Sequence, residues 1–359
     1  MDFKNKKFFT RKLMEWYDQS DRPLPWKGIK DPYLIWLSEI ILQQTRTEQG
    51  TPYYEKFKRA YPTVHDMAKA SEDEIMKLWQ GLGYYSRARN MHHTAKHVSV
   101  VLDGKFPNSL KELQALKGIG PYTAAAIASF AFNLPHAVVD GNVYRVLARF
   151  FGIEVDIDDR EAARLFGDLA QELVLTDQPG KYNQAIMDLG ATVCTPRAYK
   201  CSNCLLREHC LAFARGTIDA LPVKNKKIKK KVRYFHYFIV EHNARILIRK
   251  RKEKDIWKNL YDFPLFESTH AMEEAEMLKP GLAGHELLNS FQGNVAELIH
   301  TGQQQLTHQK IIANFWKVNK EMPREYPDDF IWVDIENLSK FAFPRIITLF
   351  LEDIFLNLG

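Results

Sequence analysis

The chain has 359 residues and a mass of 41.8 kDa, which exceeds the size at which one hydrophobic core keeps growing, so two domains are expected. No apolar run reaches the 18 or more residues that a membrane span requires, which excludes an integral membrane protein and favours a soluble cytoplasmic one. The net charge is +6, but seven of the 50 basic residues lie between positions 224 and 233, and the charges of the other 43 are balanced by those of 44 acidic residues. This basic run predicts an interdomain linker, with phosphate contact as a second role.

Before the linker, apolar residues recur at helical spacing and predict an all-helical domain over residues 1–221. The predicted helices are Phe8–Tyr17, Tyr33–Gln44, Glu72–Trp79, Ser86–Leu102, Leu110–Leu116, Pro121–Phe132, Val143–Phe151, Glu161–Val174 and Tyr182–Val193. After the linker at 222–232, β-rich runs and a last helix predict an α+β domain over residues 233–359. Its predicted elements are Tyr234–Val240, Ile246–Arg249, Ile311–Val318, Phe330–Val333 and the helix Pro344–Leu356.

Glu39 lies inside an apolar predicted helix. Ile35, Trp36 and Leu42 share its face about one turn away, so the Glu39 carboxyl should be desolvated. Desolvation raises the pKa of a carboxyl and keeps a proton available near neutral pH. Glu39 is therefore a candidate general acid; the alternative is a carboxylate on the one polar edge of a buried helix.

A glycine turn joins two predicted helices at Lys117–Gly120 and is followed by Pro121, which suits a first helical turn. Gly118 and Gly120 allow a tight turn and leave amide N–H groups uncovered at the start of the next helix. Such a turn can bind a DNA phosphate through backbone donors and the helix dipole. A helical hairpin without DNA contact is the alternative.

Asp140 ends an apolar run just before a predicted helix, where an N-cap is the simplest interpretation. A helix N-terminus favours the ionised carboxylate, so the pKa of Asp140 is expected to shift in the opposite direction from that of Glu39. Cleavage of a glycosidic bond uses such a pair: one carboxyl protonates the leaving group and the other stabilises a cationic sugar. The two residues are 101 positions apart, and the sequence alone does not show that they meet.

All four cysteines of the chain, Cys194, Cys201, Cys204 and Cys210, lie within 17 residues. Disulfides usually join distant parts of a secreted chain, whereas these gaps are six, two and five residues. Four thiolates at this spacing can hold an iron-sulfur cluster or a zinc ion. The single Cys-x-x-Cys pair favours iron-sulfur over a zinc ribbon, and four unrelated buried thiols remain the alternative.

Several motifs in order carry a resemblance to a known family. They are Trp36–Thr45, Gly81–Asn90, the Leu-x-Gly-Ile-Gly-x-x-Thr-Ala turn, Val139–Val146 and the cysteine loop. Together they resemble the helix-hairpin-helix DNA glycosylases and, over nearly the whole chain, the A/G-specific adenine glycosylases (the MutY family). The resemblance implies a [4Fe-4S] cluster on the four cysteines, a six-helix barrel over about 27–135, and a cluster module built from 1–26 and 136–221.

The resemblance also implies a reaction. The enzyme would remove adenine mispaired with 8-oxoguanine or guanine from double-stranded DNA, by hydrolysis of the N-glycosidic bond after base flipping, as a step of base excision repair. Glu39 would protonate adenine at N7, and Asp140 would stabilise the sugar cation, either electrostatically or through a transient covalent intermediate, with Asn142 and Tyr122 ordering the site. Family members that also cut the strand carry a lysine at the Tyr122 position, so base removal without strand scission is predicted.

Further residues match family positions that bind DNA or the base. Gln44 and Tyr84 match residues that wedge into the opened duplex, while Gly118, Gly120, Arg197, Lys200 and Arg207 would face phosphates. Weaker candidates for the base pocket are Arg22, Trp26 and Gln184. The implied partner is a DNA duplex with an adenine mispair. The protein is expected to bind it as a monomer, without any membrane association, in the cytoplasm at the nucleoid.

The last domain resembles the Nudix-like domain of these glycosylases, whose role is to recognise 8-oxoguanine. The family's recognition loop usually reads Phe-Ser-His, and the matching stretch here is Leu306-Thr307-His308, so the aromatic residue is absent. A strand-edge loop without this role is the alternative. Nudix hydrolysis needs an Arg-Glu-x-x-Glu-Glu helix, and the clustered acids Glu273, Glu274 and Glu276 lack its spacing.

Two other functions fit parts of the sequence. A bifunctional oxidised-pyrimidine glycosylase resembling endonuclease III would share the hairpin and the cluster, but the tyrosine at position 122 and the second domain disfavour it. A non-catalytic DNA-structure binder would need neither Glu39 nor Asp140.

Overall fold

The computed structural model describes residues 3–20, 22–225, 230–272, 276, 295–318 and 329–354. The chain forms two units: one contains Met1–Lys69 and Asn90–Lys226, and the other contains Ala70–Arg89 and Lys227–Gly359. Two of the three clustered acids that lack the Nudix spacing, Glu273 and Glu274, lie outside the described ranges. Linker residues 226–229 also lie outside them.

Up to residue 221 the described residues form helices and no strands, as predicted. In chain order the helices are α1 (Phe3–Asp18), α2 (Pro32–Leu42), α3 (Thr47–Ala60), α4 (Val64–Lys69), α5 (Glu72–Trp79), α6 (Ser86–Val100), α7 (Leu110–Ala115), α8 (Pro121–Phe132), α9 (Gly141–Phe151), α10 (Arg160–Leu173), α11 (Pro179–Thr192) and α12 (Leu211–Arg215). Short 3-10 turns follow at Cys201–Asn203, Arg207–His209 and Ile218–Ala220.

Helices α3, α4 and α12 were not predicted from the sequence. Helix α3 contains Pro52 and Gly50, both unfavourable inside a helix, and only three of its residues are buried. Its apolar periodicity is therefore weak, and packing of Tyr54 and Phe57 rather than local preference stabilises it.

The helical hairpin has the predicted form. Gly120 is the N-cap of α8, and Pro121 occupies its first turn. Gly118 has φ +83°, and a Cβ there would approach the Asn90 Cβ to 2.8 Å, so both the backbone conformation and the neighbouring side chain require glycine.

One hydrophobic core of the helical unit is built around α9. Most of its buried residues come from α1, α8, α9, α10 and α11, and the four cysteines pack against it. Asp140 is the N-cap of α9, and Gly152, in the αL conformation, is its C-cap. The same helix thus positions a candidate catalytic carboxylate and borders the cysteine loop.

The C-terminal unit has α+β structure, as predicted. One sheet has the order β5-β1-β7-β6, in which β1 and β7 are parallel; in the other, β3 pairs with β2, β4 and β8. The strands are β1 (Lys231–Ile239), β2 (Glu241–His242), β3 (Arg245–Lys250), β4 (Tyr261–Asp262), β5 (Leu265–Ser268), β6 (Val295–Gln305), β7 (Gln309–Val318) and β8 (Phe330–Asp334). A 3-10 turn at Ile335–Lys340 and helix α13 (Arg345–Ile354) follow.

Helix α5 belongs to this second unit. Lys250 and the Tyr261 hydroxyl both contact Asp73, and Gln80 Nε2 donates to Thr348 Oγ1 at 2.9 Å. The buried guanidinium of Arg233 on β1 pairs with Glu267 on β5 and with Asp255 between β3 and β4. These contacts fix the stretch that carries Tyr84 within the same unit as the β6–β7 hairpin.

Candidate active site

The two predicted catalytic carboxyl groups line one cleft of about 700 Å³ in the helical unit. Glu39 comes from the middle of α2 and Asp140 from the start of α9. The tertiary structure therefore joins residues that the sequence separates by 101 positions. The other predicted residues that line this cleft are Arg22, Trp26, Gln44, Gly120, Tyr122, Asn142 and Gln184.

Glu39 has the desolvated environment expected from its helix. It is 8% exposed, and Ile35 and Trp36 on its face are buried. Burial raises its pKa to about 7, the negative charge of Asp140 adds to this rise, and a hydrogen bond with the Tyr122 side chain partly offsets it. A carboxyl with this pKa carries a proton in a large fraction of molecules at neutral pH.

Asp140 is the N-cap of α9, as predicted, and accepts a 2.8 Å hydrogen bond from Val143 N. The expected direction of its pKa shift is wrong: burial raises the pKa of Asp140. Hydrogen bonds from Val143 and Asn142 and the charge of Arg145 oppose the rise without reversing it. Desolvation inside the cleft thus outweighs the helix N-terminus.

Asn142 and Arg145 support Asp140. Asn142 Nδ2 donates to Asp140 Oδ2 at 2.8 Å, and Arg145 Nη2 donates to Asn142 Oδ1 at 2.8 Å. Arg145 Nε donates to the Cys194 carbonyl at 2.7 Å. No role for Arg145 was predicted from the sequence; its position three residues after Asn142, about one helical turn, was the available signal.

The hairpin and the two wedge candidates have distinct local structures. Gly120 lies at the cleft. Gln44, just after α2, is exposed at φ +55°, a backbone conformation that non-glycine residues rarely adopt. Tyr84, in the other unit, is 43% exposed at φ +47°. Such strained residues cluster at functional sites.

A second cleft, of about 490 Å³, lies within the C-terminal unit. Leu306, Thr307 and His308 form the tip of the β6–β7 hairpin. These three residues and Tyr84 line the second cleft. The Tyr84 hydroxyl hydrogen-bonds to Thr307 Oγ1, and the Arg87 guanidinium lies 5.5 Å from the centre of the Tyr84 ring.

The four cysteines line a small cavity of about 30 Å³ next to Arg149 and Arg207. Burial raises the pKa of the Cys201, Cys204 and Cys210 thiols. Backbone N–H groups point at two sulfurs: Leu206 donates to Cys204, and Phe213 and Ala212 donate to Cys210. Arg197 and Lys200 are exposed on the same loop.

Among the described residues, no three His, Cys, Asp or Glu side chains are grouped as ligands of one metal ion. Four cysteine side chains around one cavity, with N–H donors to two of the sulfurs, form a donor set that can hold an iron-sulfur cluster or a zinc ion.

Comparison with known proteins identifies the family. Residues 37–172 match the family described as HhH-GPD superfamily base excision DNA repair protein, and residues 236–353 match the NUDIX domain family. Adenine DNA glycosylases of Buchnera aphidicola from Acyrthosiphon pisum and from Baizongia pistaciae are 30% and 33% identical, covering 98% and 96% of this chain and 99% and 96% of their own. The chain belongs to the adenine DNA glycosylase family. The human adenine DNA glycosylase is 43% identical over 58% of this chain and 40% of its own.

Two solved structures share the fold over about 60% of the chain. A thermostable thymine-DNA glycosylase is 30% identical, with a TM-score of 0.55, and covers 59% of this chain and 98% of its own. An endonuclease III–DNA complex, 18% identical with a TM-score of 0.53 over 60% of this chain and 98% of its own, shares the fold. This glycosylase is therefore a DNA-binding hydrolase of N-glycosyl bonds that acts in base excision repair. In the described part of the chain no helix has the length and apolar character of a membrane span.

Proposed function

We propose that this glycosylase removes adenine mispaired with 8-oxoguanine or guanine from double-stranded DNA by hydrolysis, without cutting the strand. The observation that carries the proposal is the pairing of Glu39, whose pKa is about 7, with Asp140 in one cleft. The named relatives are adenine DNA glycosylases. A monomer acting on chromosomal DNA, and hence in the cytoplasm at the nucleoid, completes the proposal.

Glu39 supplies the proton. Adenine leaves poorly as an anion, so protonation at N7 allows the bond between C1′ and N9 to break with its electron pair retained by the base. The Tyr122 side chain interacts with this carboxyl and offsets part of the rise in its pKa, and the Tyr122 hydroxyl lies 3.4 Å from Met187 Sδ. The adenine must first rotate out of the duplex, and this step costs less at a mispair.

Asp140 stabilises the positive charge that develops on the sugar. Val143 N and Asn142 Nδ2 donate to its two oxygens, which favours the anionic form inside a desolvated cleft. A water molecule then adds to C1′ and loses a proton, giving a hydrolysed product. Position 122 offers a phenol rather than an amine, so no Schiff base with the sugar forms there.

DNA contacts follow from the surface around the cleft. Backbone donors at Gly118 and Gly120 would bind a phosphate, and the exposed side chains of Arg197 and Lys200 would bind others. Gln44 would fill the space left by the extruded base, a use for its strained and exposed position.

The C-terminal cleft would bind the opposing 8-oxoguanine through Thr307 and His308, with the Tyr84 ring as the stacking wedge. We expect Thr307→Val and Tyr84→Phe each to lower the preference for adenine opposite 8-oxoguanine over adenine opposite guanine by about three- to tenfold, the worth of one hydrogen bond. Single-turnover base release from the two duplexes measures this preference.

The double variant tests whether the two hydroxyl groups act together. Because the Tyr84 and Thr307 hydroxyl groups share one hydrogen bond, the double variant should lower the preference for 8-oxoguanine no more than either single variant does. Thr301→Val is the control, because Thr301 lies on β6 and does not line the second cleft. Additive effects, or an unchanged preference, would contradict this role.

The cysteine cavity fits a [4Fe-4S] cluster held by Cys194, Cys201, Cys204 and Cys210. When bound, such a cluster would offset part of the negative charge of four half-buried thiolates and would hold the loop that follows α11. The donor set supports this fit: N–H groups from Leu206, Ala212 and Phe213 approach the sulfurs, as does Arg149 Nη1, 3.5 Å from Cys194 Sγ.

Arg149 should determine how firmly this loop is held. It is 3% exposed and donates to the Thr195, Pro196, Ile218 and Leu221 carbonyls. Arg149→Met removes the side-chain donor to these four carbonyls, so we expect a loss of about 2–4 kcal/mol in the free energy of unfolding and faster release of iron. Urea unfolding and visible absorbance during incubation with a chelator measure the two effects.

Arg215→Met provides the control, because Arg215 lies on α12 after the last cysteine but is exposed. Equal iron retention in the two variants would argue against this role of Arg149.

The proposed function is tested with purified protein and duplexes that carry adenine opposite 8-oxoguanine, guanine or thymine. Released base and strand breaks are measured separately. Release of adenine from the first two duplexes without strand breaks is expected. Strand breaks that accompany base release would instead favour the bifunctional activity, and release from oxidised pyrimidines alone would reject adenine as the substrate.

A further inference from the structure

The candidate wedge Tyr84 has a backbone conformation that its side chain disfavours. Its φ is +47°, and Gly81 and Gly83 just before it have φ values of +93° and +78°. A left-handed backbone costs little at glycine, whereas a bulky aromatic residue in this region is strained. The Tyr84 side chain is also 43% exposed, so burial of its ring supplies only part of what holds it. Other contacts therefore keep the residue in this conformation.

Arg87, three residues further along the chain, supplies several of these contacts. Its backbone N–H donates to the Tyr84 carbonyl at 2.9 Å, and its Nη2 donates to the Gly83 carbonyl at 3.2 Å. The guanidinium also lies over the Tyr84 ring, 5.5 Å from its centre. One residue thus contacts the backbone just before the wedge, the carbonyl of the wedge and its ring.

Trp79 anchors this guanidinium to the core. The indole is 0% exposed, and the Arg87 guanidinium lies 5.0 Å from the centre of a Trp79 ring. The Trp79 Nε1–H donates to the same Gly83 carbonyl at 2.9 Å. Burial lowers the pKa of Arg87 to about 10, so the group is still charged at neutral pH. A cation over an aromatic ring is held more strongly when it is desolvated, as here.

The far end of the Tyr84 ring is also held, since its hydroxyl hydrogen-bonds to Thr307 Oγ1 at the tip of the β6–β7 hairpin. The ring therefore has contacts at its hydroxyl and over its face while much of its surface stays exposed. A ring that is fixed in advance loses little conformational freedom when it stacks on a base, and preorganisation of this kind strengthens binding.

We propose that Arg87 is a positioning residue that holds Tyr84 in its strained conformation beside Trp79, so that the wedge is formed before the protein meets a mispair. This inference rests on the proposed function, in which the Tyr84 ring stacks in the opened duplex. Arg87 lines neither the cleft of the helical unit nor that of the C-terminal unit. Its effect on DNA binding is exerted through the tyrosine.

The test measures single-turnover release of adenine opposite 8-oxoguanine over a range of protein concentrations, which gives the half-saturating concentration and the rate at saturation separately. Arg87→Met keeps an unbranched side chain but removes the cation and the donor to Gly83. We expect the half-saturating concentration to rise about five- to thirtyfold. The rate at saturation should stay within about threefold, because Arg87 does not touch the cleft that holds Glu39 and Asp140.

Tyr84→Leu shows whether Arg87 acts through the wedge. Once the ring is absent, Arg87→Met should raise the half-saturating concentration by less than about twofold further. Arg87→Lys keeps a charge without the planar fork, so it should give a smaller rise that also disappears with Tyr84→Leu; it carries the same test if Arg87→Met does not fold. Arg245→Met, an exposed residue of β3 outside both clefts, is the control and should change neither quantity.

An Arg87→Met effect of equal size with and without the Tyr84 ring would overturn the inference, because the arginine would then stabilise the fold rather than the wedge. A half-saturating concentration equal to that of the parent would overturn it as well. Both results leave the proposed function intact. Failure of the unsubstituted protein to release adenine from any mispair would overturn the proposed function, and this inference with it.

Discussion

Glu39→Gln is expected to slow base release by about two to four orders of magnitude, the usual contribution of a general acid. Glutamine has nearly the same shape as a protonated glutamate, so α2 and the contact with Tyr122 should persist, but it carries no acidic proton. Single-turnover release of adenine from a duplex with 8-oxoguanine opposite measures the rate. A gel-shift titration with the same duplex should show nearly unchanged binding.

The pH dependence of base release provides a second test of Glu39 as the general acid. Burial raises the pKa of Glu39 to about 7, and only the protonated form can donate. The rate should therefore fall as the pH rises through 7, approaching tenfold per pH unit. Glu39→Gln should remove this limb of the profile. Glu161→Gln, an exposed residue of α10, should keep both the rate and the limb; a variant at position 39 with unchanged turnover would exclude Glu39 as the acid.

We expect the second large effect from Asp140→Asn. Asparagine caps a helix about as well as aspartate, so the start of α9 should be preserved while the negative charge near the sugar is lost. Removing one electrostatic contribution to a transition state typically costs about two to three orders of magnitude in rate. The same single-turnover assay measures the loss, and thermal unfolding checks that the helix is intact.

Asp159→Asn is a matched control, since Asp159 is the N-cap of α10 and lies in an exposed position away from the cleft. The double variant of Glu39 and Asp140 should lose less than the product of the two single effects, because the two groups act on one transition state. An Asp140→Asn enzyme within tenfold of the parent rate would show that the charge is not needed.

The sequence alone predicted those features that depend on neighbouring residues. The apolar environment of Glu39, the N-cap at Asp140 and the glycine turn before Pro121 are all properties of short segments, because helix periodicity and capping act within about one turn. The shift from helices to strands after residue 221 was also visible, as was the cysteine spacing. Helix α3 was not, because Gly50 and Pro52 contradict its local preference and only tertiary packing overrides it.

The tertiary structure decided which distant side chains meet. It brought Tyr122 to Glu39, Arg149 to Cys194, and Arg22 to Asp188; none of these pairs follows from spacing along the chain. It also reversed the expected shift of the Asp140 pKa. A local rule gives the effect of a helix N-terminus, but desolvation depends on everything that packs around the carboxyl group, and only the folded chain specifies those neighbours.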